Sequence, residues 1–227
     1  MRVHSHRNIG RLSLYRRLLY GLTQTGTKYV HSHELAGLAE VTAAQVRRDL
    51  MAVGCCGTPR RGYDVEHLIQ SISELLDAPT AQGVALVGIG NLGRALLAYF
   101  SGKRPKLVIS AAFDVEPAKV NRVMYGCHCY PAKKLDTVIQ NNGIRVAIVT
   151  VPAFEAQGVA DILVRGGVRG ILNFAPVRLH VPRNVFVEDM DMTMSLEKVA
   201  YCARGENKRK KPRAAPKTRR ERTAALD

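Results

Sequence analysis

The run from Val84 to Phe100 admits few folds. Four apolar residues lead into Gly88-Ile-Gly-Asn-Leu-Gly93, and a helical apolar pattern follows. Strand, glycine turn and helix is the reading. Gly88 permits the tight turn, Gly90 lets backbone approach a pyrophosphate, and Gly93 lets the helix pack on the strand. The amides of Gly88, Gly90, Asn91, Leu92 and Gly93 then gather at a helix N-terminus, whose unbonded N–H groups and positive dipole end favour phosphate.

The next apolar run, Lys106 to Phe113, ends at Asp114, 21 positions after Gly93. A carboxylate there accepts from an adenosine ribose 2′-OH and repels a 2′-phosphate, so NAD(H) is expected rather than NADP(H). The competing reading makes Asp114 an ordinary cap for a helix near Pro117.

The net charge of +15 is unevenly placed. Residues 1–62 carry ten Lys/Arg against three Asp/Glu, residues 63–203 fourteen against thirteen, and residues 204–227 ten against three. A nearly neutral body with basic ends fits a cofactor domain bearing nucleic-acid-facing attachments. With 46% hydrophobic residues in 227, the chain can bury a core in each of two small domains. No apolar stretch reaches the roughly 18 residues of a membrane span, and the basic start lacks the apolar segment of a signal peptide, so a soluble, cytoplasmic protein is expected. Five cysteines (Cys55, Cys56, Cys127, Cys129 and Cys202) form no disulfide-framework spacing and fit a reducing compartment. Cys127-His128-Cys129 lacks a second Cys or His pair to complete a tetrahedral site, so no metal is expected.

Ile9, Leu12, Tyr15, Leu18, Leu19 and Leu22 recur at helical spacing, with Arg11, Arg16 and Arg17 between them. Ser32 is placed to cap a short helix holding Leu35 and Leu38. Thr42-Ala-Ala-Gln45 reads as a capping box opening a helix to about Ala52, which Gly54 stops. The pair makes a helix-turn-helix. Ala43, Val46, Leu50 and Val53 form the inner stripe of its second helix, so Gln45 and Arg48 point outward to base edges while Arg47 flanks them toward phosphate. Gly57 to Tyr63 then reads as a hairpin wing with Arg60 and Arg61 at its tip.

A helix from Val65 to Leu76, closed by Pro79, is expected to bridge two domains. Further on, helices at about 131–142 and 153–165 alternate with strands at 144–151 and 168–175, which implies a parallel, doubly wound sheet. Val185-Phe-Val187 precedes a last apolar helix from Asp191 to Arg204, which needs a surface to pack on. Residues 205–227, rich in Lys, Arg, Pro and Ala without periodicity, read as a disordered basic tail.

Taken together, the chain resembles the Rex family of redox-sensing bacterial repressors over nearly all of residues 8–203. The matching motifs are Val46-Arg-Arg-Asp-Leu50, Gly57 to Tyr63, Gly88 to Gly93, Phe113-Asp114, Thr150-Val-Pro152 and Asn173-Phe-Ala-Pro176. The resemblance implies an α/β homodimer: a winged-helix domain (1–78), a Rossmann domain (79–204) whose C-terminal helix is exchanged between subunits, and then the tail. It implies a repressor that holds palindromic operator DNA when NADH is scarce and releases it when NADH binds. By position it adds Tyr99, Thr150, Val151, Pro152, Asn173 and Phe174 to the cofactor site, and Arg17 and Asp191 to the switch and subunit contact. Met192 stands where the family commonly has Phe, and a flexible thioether gives no aromatic face.

The alternative in another class is an NAD-dependent oxidoreductase with a basic N-terminal module. Such an enzyme needs an acid or base over the nicotinamide and usually a substrate domain. No His or Lys is obviously placed after the Rossmann strands, His180 being the nearest candidate, and little chain remains after residue 175 to build the domain, so no enzyme is expected.

Overall fold

The computed structural model describes residues 6–102 and 106–205. They form two compact units, one drawn from the chain up to Gln82 together with Gly102–Val108, the other from the remainder.

The first unit holds α1 (His6–Gln24), β1 (Tyr29–Val30), α2 (Ser32–Leu38), α3 (Ala43–Ala52), β2 (Tyr63–Asp64) and α4 (Val65–Leu76). Leu12, Tyr15 and Leu19 of α1 meet Leu35, Val46, Leu50, Val65, Leu68 and Ile72 in one core. The α1 stripe is therefore real, with Arg16 also buried beside it. Its guanidinium donates to Asp77 at 2.8 Å and Ser73 at 3.3 Å, tying α1 to the end of α4. Helix α4 is thus a core element of this unit, packed along α1, where the sequence suggested a bridge. The cap of α2 is His31 and not Ser32, because the Glu34 carboxylate reaches back to accept from the His31 amide at 2.6 Å. Leu38 is correspondingly left exposed.

Thr42 does cap α3, accepting from the Gln45 amide at 3.2 Å. The second half of the capping box does not form, since the Gln45 side chain turns along the helix to Asp49. The wing closes by paired backbone bonds between Thr58 and Gly62, both 2.8 Å, and its return strand β2 lies antiparallel to β1. Gly62 has φ 74°, and a Cβ there would press on the Val30 carbonyl, so this corner requires glycine.

The second unit is a seven-stranded sheet with helices: β3 (Gln82–Val87), α5 (Asn91–Phe100), β4 (Leu107–Asp114), β5 (Arg122–Met124), β6 (Cys127–Pro131), α6 (Leu135–Asn141), β7 (Val146–Val149), α7 (Ala153–Arg165), β8 (Gly170–Asn173), β9 (Phe186–Asp189) and α8 (Met192–Gly205). The strand order is β5-β6-β4-β3-β7-β8-β9. Setting aside β5, which pairs antiparallel outside β6, this is the doubly wound order of a Rossmann sheet, reversing direction between β3 and β7. The chain is therefore α/β, a winged-helix unit followed by a Rossmann-like unit.

The β5–β6 hairpin was not legible in the sequence. Cys127 and Cys129 face inward and His128 outward, a strand of period two that a cysteine-rich pentapeptide conceals. The helix expected from Pro131 starts at Leu135, after β6 and a 3-10 turn at Ala132–Lys134. Burial lifts the Cys127 thiol to about 12, with Cys129 beside it contributing, and Cys129 is also raised by burial. These are inert core thiols. No group of three or more metal-ligating residues occurs among the described residues, and no helix there is long and apolar enough to cross a membrane.

Candidate functional site

At the switch point the strand ends come to one place: Gly88 just after β3, Asp114 at the end of β4, Thr150 just after β7 and Asn173 at the end of β8. Gly88 has φ 97°, and a Cβ on it would lie 2.7 Å from the Thr150 carbonyl oxygen. At Gly93 a Cβ would collide with the Gly88 carbonyl, so α5 can lie this close to the turn only with glycine there. Gly90 is different. A Cβ there would meet nothing within 4 Å, leaving open space over the backbone that starts α5. Asn91 and Leu92 make up the first turn of that helix, and the Asn91 side chain accepts from Arg94 at 2.9 Å.

The turn is tied down from both sides. Asp114, 8% exposed, accepts from the Ile89 amide through Oδ2 at 2.6 Å and from the Glu116 amide through Oδ1 at 2.9 Å. Lys119 stands 3.7 Å from Oδ2 and pairs with Glu116. On the other side the Thr150 hydroxyl donates to the Gly88 carbonyl at 2.8 Å, with the Val87 carbonyl 3.0 Å away. Val151 is half-buried against the core and exposed Pro152 leads into α7.

Asn173 is fully buried and engaged at both ends, donating to Val177 and Asp189 at 2.8 Å and accepting from the Ala175 amide at 3.0 Å. It shapes the turn after β8. Phe174 follows, its amide on the Val149 carbonyl at 2.9 Å and its ring half-buried.

The other expected residues stand on α5, α8, α1 and the segment after β8. Tyr99 lies eight residues beyond Asn91, about 12 Å along α5 at 1.5 Å per residue, exposed and edge-on to Phe100. Asp191 caps α8 by accepting from the Met194 amide at 2.8 Å, and Met192 is exposed in its first turn. Arg17 is exposed on α1. The His180 backbone is fastened to α7 by the Gln157 side chain, which donates to its carbonyl at 3.0 Å and accepts from its amide at 2.9 Å. Two exposed apolar side chains at these strand ends lie outside the expected set: Val115, next to Asp114, and Phe154, in the first turn of α7. Their positions just past the strand ends were the available signal.

The second candidate site is the outer face of α3 with the wing. Arg47, Arg48, Arg60 and Arg61 are all exposed. Arg47 reaches Ser32 at the start of α2 at 3.2 Å, and Arg61 lies 5.9 Å from the ring centre of Tyr29. Gln45 is half-buried and doubly bonded, to Asp49 and Arg48, both at 2.8 Å.

Asp49 is the residue that sequence reasoning left without a role. It is buried at 3% exposure and bonded to Arg11, Tyr15 and Gln45. Burial pushes its carboxyl upward, but the hydrogen bonds from Arg11, Gln45 and Tyr15 outweigh that and hold it below the usual value. Tyr15 is driven up to about 12, by burial first and then by its bond to Asp49. The Arg11 guanidinium is raised by its hydrogen bond to Asp49 against the cost of its own burial. The available signal was spacing: Arg11 and Tyr15 share one face of α1, four residues apart, and Asp49 flanks the α3 stripe.

A family model described as a CoA binding domain matches residues 80–177, and one described as a putative DNA-binding protein N-terminus matches residues 5–50. The redox-sensing transcriptional repressor Rex of Listeria welshimeri is 41% identical over 191 residues, 84% of this chain and 89% of that one. Rex of Limosilactobacillus reuteri is 42% identical with the same coverage. Among solved structures, RSP, a Rex-family repressor, superposes with TM-score 0.83 at 31% identity, covering 91% of this chain and 98% of its own. RSP in complex with β-NAD+ and operator DNA gives 0.83, and RSP with β-NADH 0.81, both at 31% identity and 91% coverage of this chain, with 95% and 97% of their own chains covered.

Proposed function

The chain belongs to the Rex family of redox-sensing transcriptional repressors, and from that premise we propose that it represses transcription by binding operator DNA and lets go when NADH occupies its Rossmann-like unit. It is a regulator, not an enzyme, despite a sheet of dehydrogenase type. The observation that carries the reading is the pairing, in one chain, of a basic outer face on α3 and the wing with a glycine turn open at Gly90 alone. That opening suits a pyrophosphate, and the adjoining Asp114 carboxylate suits a ribose hydroxyl.

In this reading the amides of Gly90, Asn91, Leu92 and Gly93 hold the pyrophosphate and Asp114 the adenosine ribose, while Gly88, whose amide already donates to the Phe113 carbonyl at 2.8 Å, makes the turn. Val151, Pro152 and Phe174 border the remaining half of the cofactor. Thr150 and Asn173 act by shaping the crevice, since their polar atoms already hold its backbone. The bound dinucleotide supplies a ring that is cationic when oxidised and neutral when reduced, the difference a sensor can read. Gln45 and Arg48 read bases, while Arg47, Arg60 and Arg61 meet phosphate.

The active species is a homodimer on a palindromic site. Its support is α8, whose Met192, Leu196 and Val199 share one face and are all exposed. Exchange of this helix would cover that face and bring Asp191 and Met192, with Tyr99 and Arg17, into a subunit contact. The proposed division is a DNA-binding domain to residue 78, a cofactor and dimerisation domain from 79 to 204, and a tail from 205. The tail lies outside the described residues except for Gly205, and its nine basic side chains give it a sequence-independent pull on DNA.

The test is reciprocal. If NADH favours the released dimer, operator DNA must weaken NADH binding by the same factor by which NADH weakens operator binding. Calorimetric titration of NADH with and without operator, beside operator binding at fixed total cofactor and varied NADH/NAD+ ratio, should give matching factors of about 5 to 150. Equal NADH affinity in both conditions would reject the mechanism.

A further inference from the structure

Arg11 and Asp49 meet across 38 positions of sequence: Nε donates to Oδ2 at 2.6 Å and Nη2 to Oδ1 at 2.8 Å. Tyr15 adds a bond to Oδ2 at 3.0 Å and Gln45 Nε2 one to Oδ1 at 2.8 Å. Each carboxylate oxygen therefore holds two donors, which leaves Asp49 no freedom to turn. The Gln45 amide is oriented in consequence. Asp49 only accepts and Arg48 only donates, so Nε2 must face Asp49 and Oε1 must face Arg48 Nη2, 2.8 Å away. An unbroken line of hydrogen bonds runs from Arg11 on α1, through Asp49 and Gln45, to an exposed arginine on α3.

That line limits what the helix can read. A glutamine reads adenine by offering a carbonyl oxygen and an amide N–H side by side. Here one lone pair of the carbonyl oxygen is taken by Arg48 and one amide N–H by Asp49, which fixes the amide in one orientation as a support for the guanidinium. Arg48 uses one of the roughly five donors of a guanidinium on Gln45 and keeps the others. Resting on the reading of α3 as the DNA-reading helix, we infer that Arg48, held in place by Gln45, is a donor-only head for a guanine, whose O6 and N7 both accept, and that Arg11 is the positioning residue that aims it through Asp49 and Gln45. An adenine at that step would set its N6 donor against the donors of Arg48.

The full-length chain is used, as wild type and as Arg11→Met, Arg11→Lys, Gln45→Met and Arg48→Ala. Competition among duplexes varied one symmetric base pair at a time gives base preference, and a random-sequence duplex gives the phosphate contribution. Arg11→Met, Gln45→Met and Arg48→Ala should each lose preference for G·C at the same step of each half-site, on the order of tenfold, and by more than any loss on random duplex. Arg11→Lys, which keeps the charge but not the forked geometry, should recover part of it. Gln45→Met leaves Asp49 with Arg11 and Tyr15, so it carries the test should Arg11→Met not fold. Retention of the full G·C preference in both Arg11→Met and Gln45→Met, or an equal loss on all sequences, overturns the relay. A preference for adenine at the Arg48-dependent step overturns the donor-only head. Retention of the preference in Arg48→Ala is a separate failure, that of α3 as the reading helix.

Discussion

Asp114 has a structural duty besides the ribose: it holds the Ile89 amide, which belongs to a fully buried residue, and the Glu116 amide. Asp114→Ala should therefore destabilise the cofactor-free protein by about 1–3 kcal/mol in urea unfolding, the cost of leaving a buried donor without its charged acceptor. In calorimetry the same variant should bind NADH more weakly and NADPH relatively better, because Lys119 loses one of its two carboxylates and can meet a 2′-phosphate. Unchanged stability would show that the Ile89 amide does not depend on this carboxylate. Asp49 makes a prediction in pH. Its folded value is depressed, so its contribution is complete above the ordinary carboxylate value of 3.8 and is lost as pH falls through the folded value. Melting of the wild type should accordingly decline below about pH 4 more steeply than that of Asp49→Asn, and parallel curves would contradict it. Tyr15, raised to about 12, stays a donor throughout that range. Asp114 was legible because strand, glycine turn and carboxylate follow a fixed spacing. Asp49 was not, because its partners on α1 are brought near only by folding.

Elements with a strong period were legible at once, and short ones were not. Helices α1, α3, α4 and α7 follow their apolar patterns to within a few residues at each end, and the strands on either side of the glycine turn were plain. The β5–β6 hairpin was hidden by its brevity, three and five residues, and by a Tyr125-Gly126 corner in which both residues take positive φ, 50° and 78°. Helix α8 was legible as apolar, but a sequence cannot say what covers it. With Leu196 69% and Val199 65% exposed, the helix has an open face in a single chain. Leu196→Glu combined with Val199→Glu should turn a dimer into a monomer by sedimentation, while leaving the far-UV spectrum intact. A variant that still sediments as a dimer would place the subunit contact elsewhere.

For the whole molecule, the doubly wound order explains why residues distant in sequence share one crevice: Gly88, Asp114, Thr150 and Asn173 all stand where strands end on the same side of the sheet. Fold and function class were readable because two independent signals, a basic helix-turn-helix and a dinucleotide turn, occur in order along a single chain. The glycine turn also bears on time. Its backbone is already fastened through Ile89 to Asp114 and through Gly88 to Thr150, so a ligand arrives at a seat that does not have to be ordered first. Uptake then proceeds at the pace of encounter, and departure alone sets how long a bound molecule persists. A sensor built this way follows a falling NADH pool with a lag equal to the residence time of its ligand, and a tighter seat makes a slower reporter.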